Sequence, residues 1–260
     1  MKILITNDDG VESPGLWAAV DALKGTGDIY VAAPDREQSG VGTALTLHIP
    51  IRAKEVTPPV AKGAGEIKAY AIEGTPGDSC VLGLEKLVGP VDLVVSGINQ
   101  GANLGEDVLI SGTVGAALQG HLRGYPSIAI SVASVRNTRY EVAAALLESL
   151  GRQLADGKTL PPSLLNVNLP NEPLDKIKGV QVTTLGGRSY GENIKDGSDG
   201  RRSYYWISRD KFLNPSPRET TDNKALKENF ISVTPLRITL TDHDSLSQVE
   251  DLFMGVLDRK

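Results

Sequence analysis

Short apolar segments alternate with helix-like segments along the first two thirds of the chain, and this alternation constrains the fold more than any other feature. The apolar segments are rich in Val, Ile and Leu and end at Gly, Pro, Asp or Asn, as buried strands do. Predicted strands lie at residues 2–6, 28–33, 67–72, 92–96, 127–132 and 164–169. Strands separated by helices are typical of an α/β fold, in which a mostly parallel sheet carries helices on both faces.

Four helices are predicted between these strands. The first begins after Ser13, a good N-cap residue, has Pro14 at the tolerated first position, and stops at Gly25. The others cover residues 78–87, 112–122 and 140–155. In the last of these, apolar residues recur every four positions from residue 142 to residue 154. One face of that helix is therefore expected to pack on the sheet.

The character of the sequence changes after about residue 170, where Gly and Pro break it into short extended pieces. The β-prone segments 204–207 and 230–236 are followed by a predicted terminal helix at 245–257. We therefore predict an α/β domain over residues 1–180 and an extended arm or hairpin lobe with a terminal helix over residues 181–260. Such an arm packs either on a neighbouring subunit or back on its own domain.

The composition narrows the classes of function. The formal net charge of −5 argues against a broad nucleic-acid-binding face, which normally needs clustered Lys and Arg. No apolar run approaches the ~20 residues that span a bilayer, and the chain enters its first strand without a cleavable apolar leader. The single cysteine, Cys80, excludes an internal disulfide and a thiolate metal cluster. We expect a cytoplasmic protein with no membrane or nucleic-acid partner.

Two adjacent carboxylates, Asp8 and Asp9, stand where the first predicted strand gives way to Gly10. Open parallel sheets bind ligands beyond the carboxyl ends of their strands. Neighbouring carboxylates at such a place repel each other unless a cation lies between them. A divalent cation is therefore the first hypothesis, and the alternative is that one of the two residues only caps a turn.

Two more loops carry oxygen ligands at the same predicted edge of the sheet. Ser39 lies in the loop 34–40 and Asn99 in the loop 96–103. Taken singly, Ser39 is better explained as a loop hydroxyl and Asn99 as a turn residue, but beside Asp8 and Asp9 they complete an oxygen cage. The histidines are scattered without metal-ligand spacing, so Mg²⁺ or Mn²⁺ fits these donors better than zinc.

A predicted helix begins at Ser111, Gly112 and Thr113, and free backbone N–H groups at a helix start favour an anion such as phosphate. The simpler alternative is that Ser111 is an ordinary N-cap. The similar loop at Thr75 and Asp78 is fully explained by a turn and a cap. The glycine signatures of dinucleotide-binding and P-loop proteins are absent from the sequence.

Several motifs together resemble the SurE (stationary-phase survival protein E) 5'/3'-nucleotidases, a family of metal-dependent nucleoside monophosphate phosphatases. The resemblance covers most of the chain. The motifs that carry it lie at residues 5–10, 33–40, 74–78, 96–105, 111–114, 165–170, 220–222 and 232–236.

The resemblance implies a Rossmann-like core and one divalent cation per subunit, Mg²⁺ or Mn²⁺, held by Asp8, Asp9, Ser39 and Asn99. It also implies dimers or tetramers joined by exchanged C-terminal segments, so that residues 181–260 would serve oligomerisation. The family acts on nucleoside 5'- and 3'-monophosphates, and some members cleave short polyphosphate.

Two positions depart from the family pattern. Ile110 stands where the family usually has Tyr, and Gln119 stands where it usually has Glu. Loss of a phenol beside the phosphate site is expected to alter substrate preference or base stacking, whereas Gln119 on a helix flank is expected to be neutral.

The mechanism that follows is attack of a metal-activated water on the phosphorus of a nucleoside monophosphate. Asp8 or Asp9 would act as ligand or general base, and Asn103 with the helix start at residues 111–113 would hold the phosphate oxygens.

Two rival hypotheses remain open. Asp8 as a covalent nucleophile, as in haloacid-dehalogenase-like phosphatases, would need a second Asp where Gly10 stands. The other rival is a module that binds a nucleotide without hydrolysing it.

Overall fold

The structure is a computed structural model that describes residues 1–60, 63–187, 190–212, 220–254 and 256. The strands are β1 (Lys2–Thr6), β2 (Asp28–Pro34), β3 (Ala53–Val56), β4 (Ile67–Ile72), β5 (Leu93–Gln100), β6 (Ser127–Val132), β7 (Leu164–Leu169), β8 (Val180–Val182), β9 (Tyr190–Ser198), β10 (Ser203–Phe212) and β11 (Ile231–Leu236). The helices are α1 (Pro14–Leu23), α2 (Pro76–Leu82), α3 (Gly112–Leu122), α4 (Glu141–Ala155), α5 (Asp222–Lys227) and α6 (Leu246–Phe253).

Nine strands form one sheet in the order β3-β4-β2-β1-β5-β6-β7-β11-β8. The six strands from β4 to β7 are parallel to one another, whereas β3 and β11 run antiparallel to β4 and β7. Strand β8 is parallel to β11 at the edge. The predicted α/β fold with a mostly parallel sheet is thereby confirmed.

Helices cover both faces of the sheet because its central strands are apolar on both sides. In β1, Ile3 and Ile5 belong to the core under α1 and α4, while Leu4 faces the core formed with α2. Helix α1 lies very close to β5, because a Cβ added at Gly15 would lie 1.9 Å from the Ile98 carbonyl oxygen. The central sheet is therefore rigidly packed where its strands end.

The predicted strands agree closely with the observed ones. Strands β1, β4, β6 and β7 have the expected bounds, and β5 differs most, because it continues past an irregularity between Ser96 and Asn99 to Gln100. Helix α2 begins earlier than predicted, at Pro76, because Thr75 caps it in a capping box with Asp78, and the turn Gly83–Leu87 that follows is π-helical. The strands β3 and β8 and the helix α5 were not predicted.

The C-terminal third contains both an arm and part of the main sheet. Strands β9 and β10 pair as a separate antiparallel hairpin, whereas β11 lies between β7 and β8. The domain boundary at residue 180 stays a prediction, although β11 follows it and lies in the main sheet. Helix α6 is shorter than predicted, and residue 257 lies outside the described residues.

The chain segment between β8 and α5, which contains the β9–β10 hairpin, has its two ends hydrogen-bonded to each other. Thr184 and Thr221 form an isolated parallel bridge. The Thr184 N–H donates to the Thr220 carbonyl at 2.9 Å, and the Asp222 N–H donates to the Thr184 carbonyl at 3.0 Å. Backbone hydrogen bonds within the chain therefore hold the base of this segment together at Thr184 and Thr221. Over the described ranges, no helix combines the length and apolarity needed to cross a membrane.

Candidate active site

The carboxyl ends of the neighbouring strands β2, β1 and β5 meet at one edge of the sheet, beside the start of α3. A cavity of about 160 Å³ opens there. Five of the predicted site residues line it: Asp8, Ser39, Asn99, Asn103 and Ser111. Asp9, Gly112 and Thr113 do not line this cavity but lie next to residues that do. The predicted loops therefore converge, as the rule for open parallel sheets requires.

Buried hydrogen bonds shape the turn after β1. The fully buried Asn7 donates from Nδ2 to the Gly10 carbonyl at 3.0 Å and to the Ser13 hydroxyl at 2.7 Å. Gly10 has φ +97°, a conformation that suits glycine. The Asp8 carbonyl accepts the Gln38 N–H at 2.7 Å, which joins the β1 loop to the loop that carries Ser39.

Asp8 is anchored to the N-terminus of α3. Its Oδ1 accepts the Thr113 hydroxyl at 2.6 Å, and the Thr113 N–H also bonds this carboxylate. A Cβ added at Gly112 would lie 2.8 Å from the Asp8 Cβ, so glycine permits the close approach. Burial raises the pKa of Asp8, and the Thr113 hydroxyl opposes that rise. The positive end of α3 therefore faces a carboxylate of the chain itself.

The two hydroxyl residues at the start of α3 have different partners. Thr113 is fully buried and its hydroxyl is bonded to Asp8. Ser111 is the N-cap of α3, because its Oγ accepts the Val114 N–H at 3.1 Å. Ser111 also lines the cavity, and its hydroxyl hydrogen is not used in the cap. Ser111 can therefore donate to an anion while it caps the helix.

Asp9 lies at the rim of the site. Its Oδ2 accepts the Gln100 N–H at 3.3 Å, a longer bond than those that hold Asp8. Burial, followed by the neighbouring charge of Asp8, raises the pKa of Asp9 to about 7. Glu37 adds to the rise at both aspartates. Three carboxylates thus crowd one region, which favours a bound cation.

Asn99 and Ser39 present oxygen atoms from the adjoining loops. Asn99 donates from Nδ2 to the Gly101 carbonyl at 2.7 Å, which leaves Oδ1 as an acceptor for a ligand. Its side chain is aimed by the irregularity in β5, since such bulges redirect the residues beside them. The exposed Ser39 hydroxyl donates to Glu37 Oε1 at 2.9 Å, so the lone pairs of its oxygen face elsewhere.

These donors fit a hard divalent cation. Within the described part of the chain, no three His, Cys, Asp or Glu side chains converge on a point. A cation bound here would therefore need hydroxyl and amide oxygens in addition to carboxylates. A set made of two carboxylates, one hydroxyl and one amide oxygen is typical of Mg²⁺ or Mn²⁺ and unlike a zinc site.

Comparison with known proteins identifies the family of the chain. Residues 3–192 match the family described as Survival protein SurE. The chain belongs to the SurE family. The 5'-nucleotidase SurE of Dehalococcoides mccartyi (strain CBDB1) is 47% identical over 239 residues, which are 91% of this chain and 88% of that protein. The 5'-nucleotidase SurE of Geobacter metallireducens is 45% identical over 253 residues, 96% of each chain.

A solved structure leads to the same family. The crystal structure of the SurE protein from Aquifex aeolicus has a TM-score of 0.80 and 36% sequence identity, and the match covers 97% of this chain and 99% of that one. The predicted resemblance to SurE is confirmed. The residues that carried that prediction include the aspartate pair and the helix start described above.

Sequence reasoning gave no place in this SurE site to two side chains, Asp107 and Glu37. Asp107, which is buried, and Ile110, which is 42% exposed, both line the cavity. Glu37 raises the pKa of both aspartates. The sequence position of Asp107 could have indicated its place in the site, because Asp107 lies between the predicted site residues Asn103 and Ser111. Acidic side chains are rarely buried unless they have a partner. Ile110 was noted only as a departure from the family pattern.

Proposed function

We propose that the chain hydrolyses nucleoside 5'-monophosphates to nucleoside and phosphate, with one divalent cation, Mg²⁺ or Mn²⁺, held by Asp8, Asp9, Ser39 and Asn99. The observation that carries this proposal is the convergence of these oxygen ligands with Ser111 at the start of α3. The relatives named 5'-nucleotidase SurE match nearly the whole chain, which supports the reaction class of a phosphoric monoester hydrolase. We extend the proposal to 3'-monophosphates and short polyphosphate, which present the same phosphate group.

Each side chain has a distinct role in this scheme. When bound, the cation would supply positive charge beside the phosphate and lower the pKa of a water molecule. Asp8, fixed by both the hydroxyl and the N–H of Thr113, acts as a ligand of constant orientation. Asp9, whose carboxylate accepts the longer bond from the Gln100 N–H, is the better placed of the two to accept a proton.

The phosphate oxygens would be held by neutral donors. Ser111 offers its hydroxyl hydrogen, since its oxygen already accepts the Val114 N–H. Asn103 donates one Nδ2 hydrogen to the Ser131 hydroxyl at 2.8 Å, which leaves its second hydrogen for an oxyanion. Neutral donors suit a site in which the cation carries the positive charge, because the phosphate can still leave after hydrolysis.

Covalent catalysis by Asp8 has less support. The Oδ1 atom of Asp8 is tied to Thr113, and Gly10 occupies the place of the second Asp that such phosphatases use. Binding without turnover is the remaining rival, and the crowded carboxylates argue against it, since a plain phosphate-binding site would gain nothing from them.

Phosphate release measured across a panel of nucleoside 5'- and 3'-monophosphates, with Mn²⁺ or Mg²⁺ present, tests this function. We expect turnover of the nucleotides and much slower release from a simple sugar phosphate, because the base and ribose add binding energy. Short polyphosphate belongs in the same panel. Tight nucleotide binding without phosphate release would favour the binding module instead.

We also propose that the protein forms homodimers or homotetramers through exchanged C-terminal segments. The hairpin residues Tyr205, Trp206 and Ile207 are each at least 65% exposed, and α6 exposes Leu252 and Phe253. Apolar groups of this size are normally covered by a partner. The molecular mass in solution tests the proposal, and a monomer at working concentration would contradict it.

A cytoplasmic location completes the proposal. Cys80 is buried, and burial raises the pKa of its thiol to about 12, so it behaves as a small apolar residue that needs no oxidising compartment. Fractionation of cells that produce the protein tests the location.

A further inference from the structure

The loop between β5 and α3 carries most of the candidate site. It follows Asn99 and Gln100 at the end of β5, passes Asn103, continues as a short 3-10 helix (Gly105–Leu109) and ends at Ser111. The backbone of residues 101–105, which we call the site loop, therefore sets the distance between a proposed cation ligand and the proposed phosphate donors. Its first residue is held by the sheet, because the Gly101 N–H donates to the Val132 carbonyl at 2.9 Å.

Two amides on β7 bind the middle of the site loop. Asn168 accepts the Asn103 N–H on Oδ1 at 2.8 Å and donates from Nδ2 to the Asn103 carbonyl at 3.1 Å. Asn166 donates to the same carbonyl at 2.8 Å. The two residues are two positions apart in a strand, so they point to the same face of the sheet, and both are fully buried. Together they satisfy both backbone groups of Asn103.

A buried carboxylate binds the end of the site loop. Asp222, which is fully buried, accepts the Gly105 N–H on Oδ2 at 2.8 Å. Its Oδ1 accepts the N–H groups of Gly186 and Asn223, each at 2.8 Å. Gly105 has φ +54°, and a Cβ there would lie 2.2 Å from the Gly187 carbonyl oxygen. The loop is therefore pressed against residues 186–187 with no room for a side chain.

We propose that Asn166, Asn168 and Asp222 are positioning residues of the active site, and this inference rests on the proposed function. None of the three lines the cavity. They act through the backbone of the site loop, because four hydrogen bonds join its residues Asn103 and Gly105 to these fully buried side chains. Polar groups buried at this depth are held strongly, since a lost bond leaves an unsatisfied group out of contact with water.

If Asn166, Asn168 and Asp222 served only the fold, replacing them would lower stability without a specific effect on catalysis or cation binding. The following experiment separates a positioning role from a purely structural one. The variants Asn168→Ala and Asp222→Asn are compared with the unchanged protein and with Leu147→Ala, which opens a cavity in the core beside α4, away from the site. Asp222→Asn keeps the shape but puts an N–H donor where one backbone N–H needs an acceptor. The readouts are kcat, KM, the thermal midpoint Tm and the Mn²⁺ dissociation constant from titration calorimetry.

We expect both site-loop variants to lower kcat by about tenfold or more and to weaken Mn²⁺ binding by a similar factor, as losses of groups that orient metal ligands do. Leu147→Ala should lower Tm and leave kcat, KM and Mn²⁺ affinity unchanged.

The proposal is overturned if folded Asn168→Ala and Asp222→Asn keep the kcat, KM and Mn²⁺ affinity of the unchanged protein. It is also overturned if neither variant folds, because the residues are then needed for the fold as such. If only one folds, that variant decides. An unchanged protein that binds Mn²⁺ but releases no phosphate would refute the proposed function, while the Mn²⁺ affinities of the variants would still test the positioning role.

Discussion

Asp8→Asn is expected to reduce kcat/KM for AMP about 10³-fold, because it removes a negative charge from the cation site where several kcal/mol of transition-state stabilisation arise. The amide keeps the shape of the side chain, and its Oδ1 can still accept the Thr113 hydroxyl. Stability should not fall with activity. Asp8 is a buried carboxylate whose pKa burial raises, so removing its charge relieves a cost of folding.

Steady-state phosphate release and thermal unfolding, measured on the same preparations, check this expectation. Asp92→Asn is the matched control, since Asp92 precedes the other end of β5 and its Oδ2 accepts the Lys2 N–H at 2.7 Å, a bond an amide oxygen can keep. Asp92→Asn should retain full activity. An active Asp8→Asn protein would remove Asp8 from the proposed cation site.

Removal of divalent cations with EDTA is expected to lower phosphate release from AMP by about 10³-fold, because Lewis-acid stabilisation of the phosphoryl group would be lost. Addition of Mn²⁺ or Mg²⁺ in excess of the chelator should restore the rate. The oxygen-only donors give the reason for these two ions, and zinc is not expected to be the preferred replacement.

EDTA saturated beforehand with Mg²⁺ is the control for direct effects of the chelator on the protein. A rate that survives dialysis against EDTA undiminished would contradict a cation site at Asp8, Asp9, Ser39 and Asn99. In that case the same residues would have to work by hydrogen bonding and proton transfer alone.

The central strands of the sheet could be predicted from the sequence because they are apolar on both faces and end at Gly, Pro, Asp or Asn. The edge was not. Strand β3 has the sequence Ala-Lys-Glu-Val with mostly exposed side chains, and β8 has only three residues. Such segments have no hydrophobic period of their own and become strands only because a neighbouring strand offers hydrogen bonds. Helix α5 is six residues long and equally weak in pattern.

The sequence predicted which loops form the candidate site, but it did not predict the hydrogen bonds between the side chains of those loops. The positions of Asp8, Ser39 and Asn99 follow from the rule that parallel strands share a ligand-binding edge. The bond between Thr113 and Asp8 does not follow, because an open helix start suits an external phosphate and an internal carboxylate equally well. The partners of Asn166 lie 63 residues away in sequence, a distance that no local pattern spans.

The bridge between Thr184 and Thr221 closes the base of the β9–β10 hairpin segment within one chain. The hairpin of β9 and β10 lies between these two residues in sequence, whereas Asp222 at the start of α5 and strand β11 of the main sheet follow them. A hairpin that crossed to another copy of the chain would therefore leave the neighbouring Asp222 bonded to its own Gly105. The bond that holds the end of the site loop would then form within each chain, whether or not its hairpin had crossed to another copy.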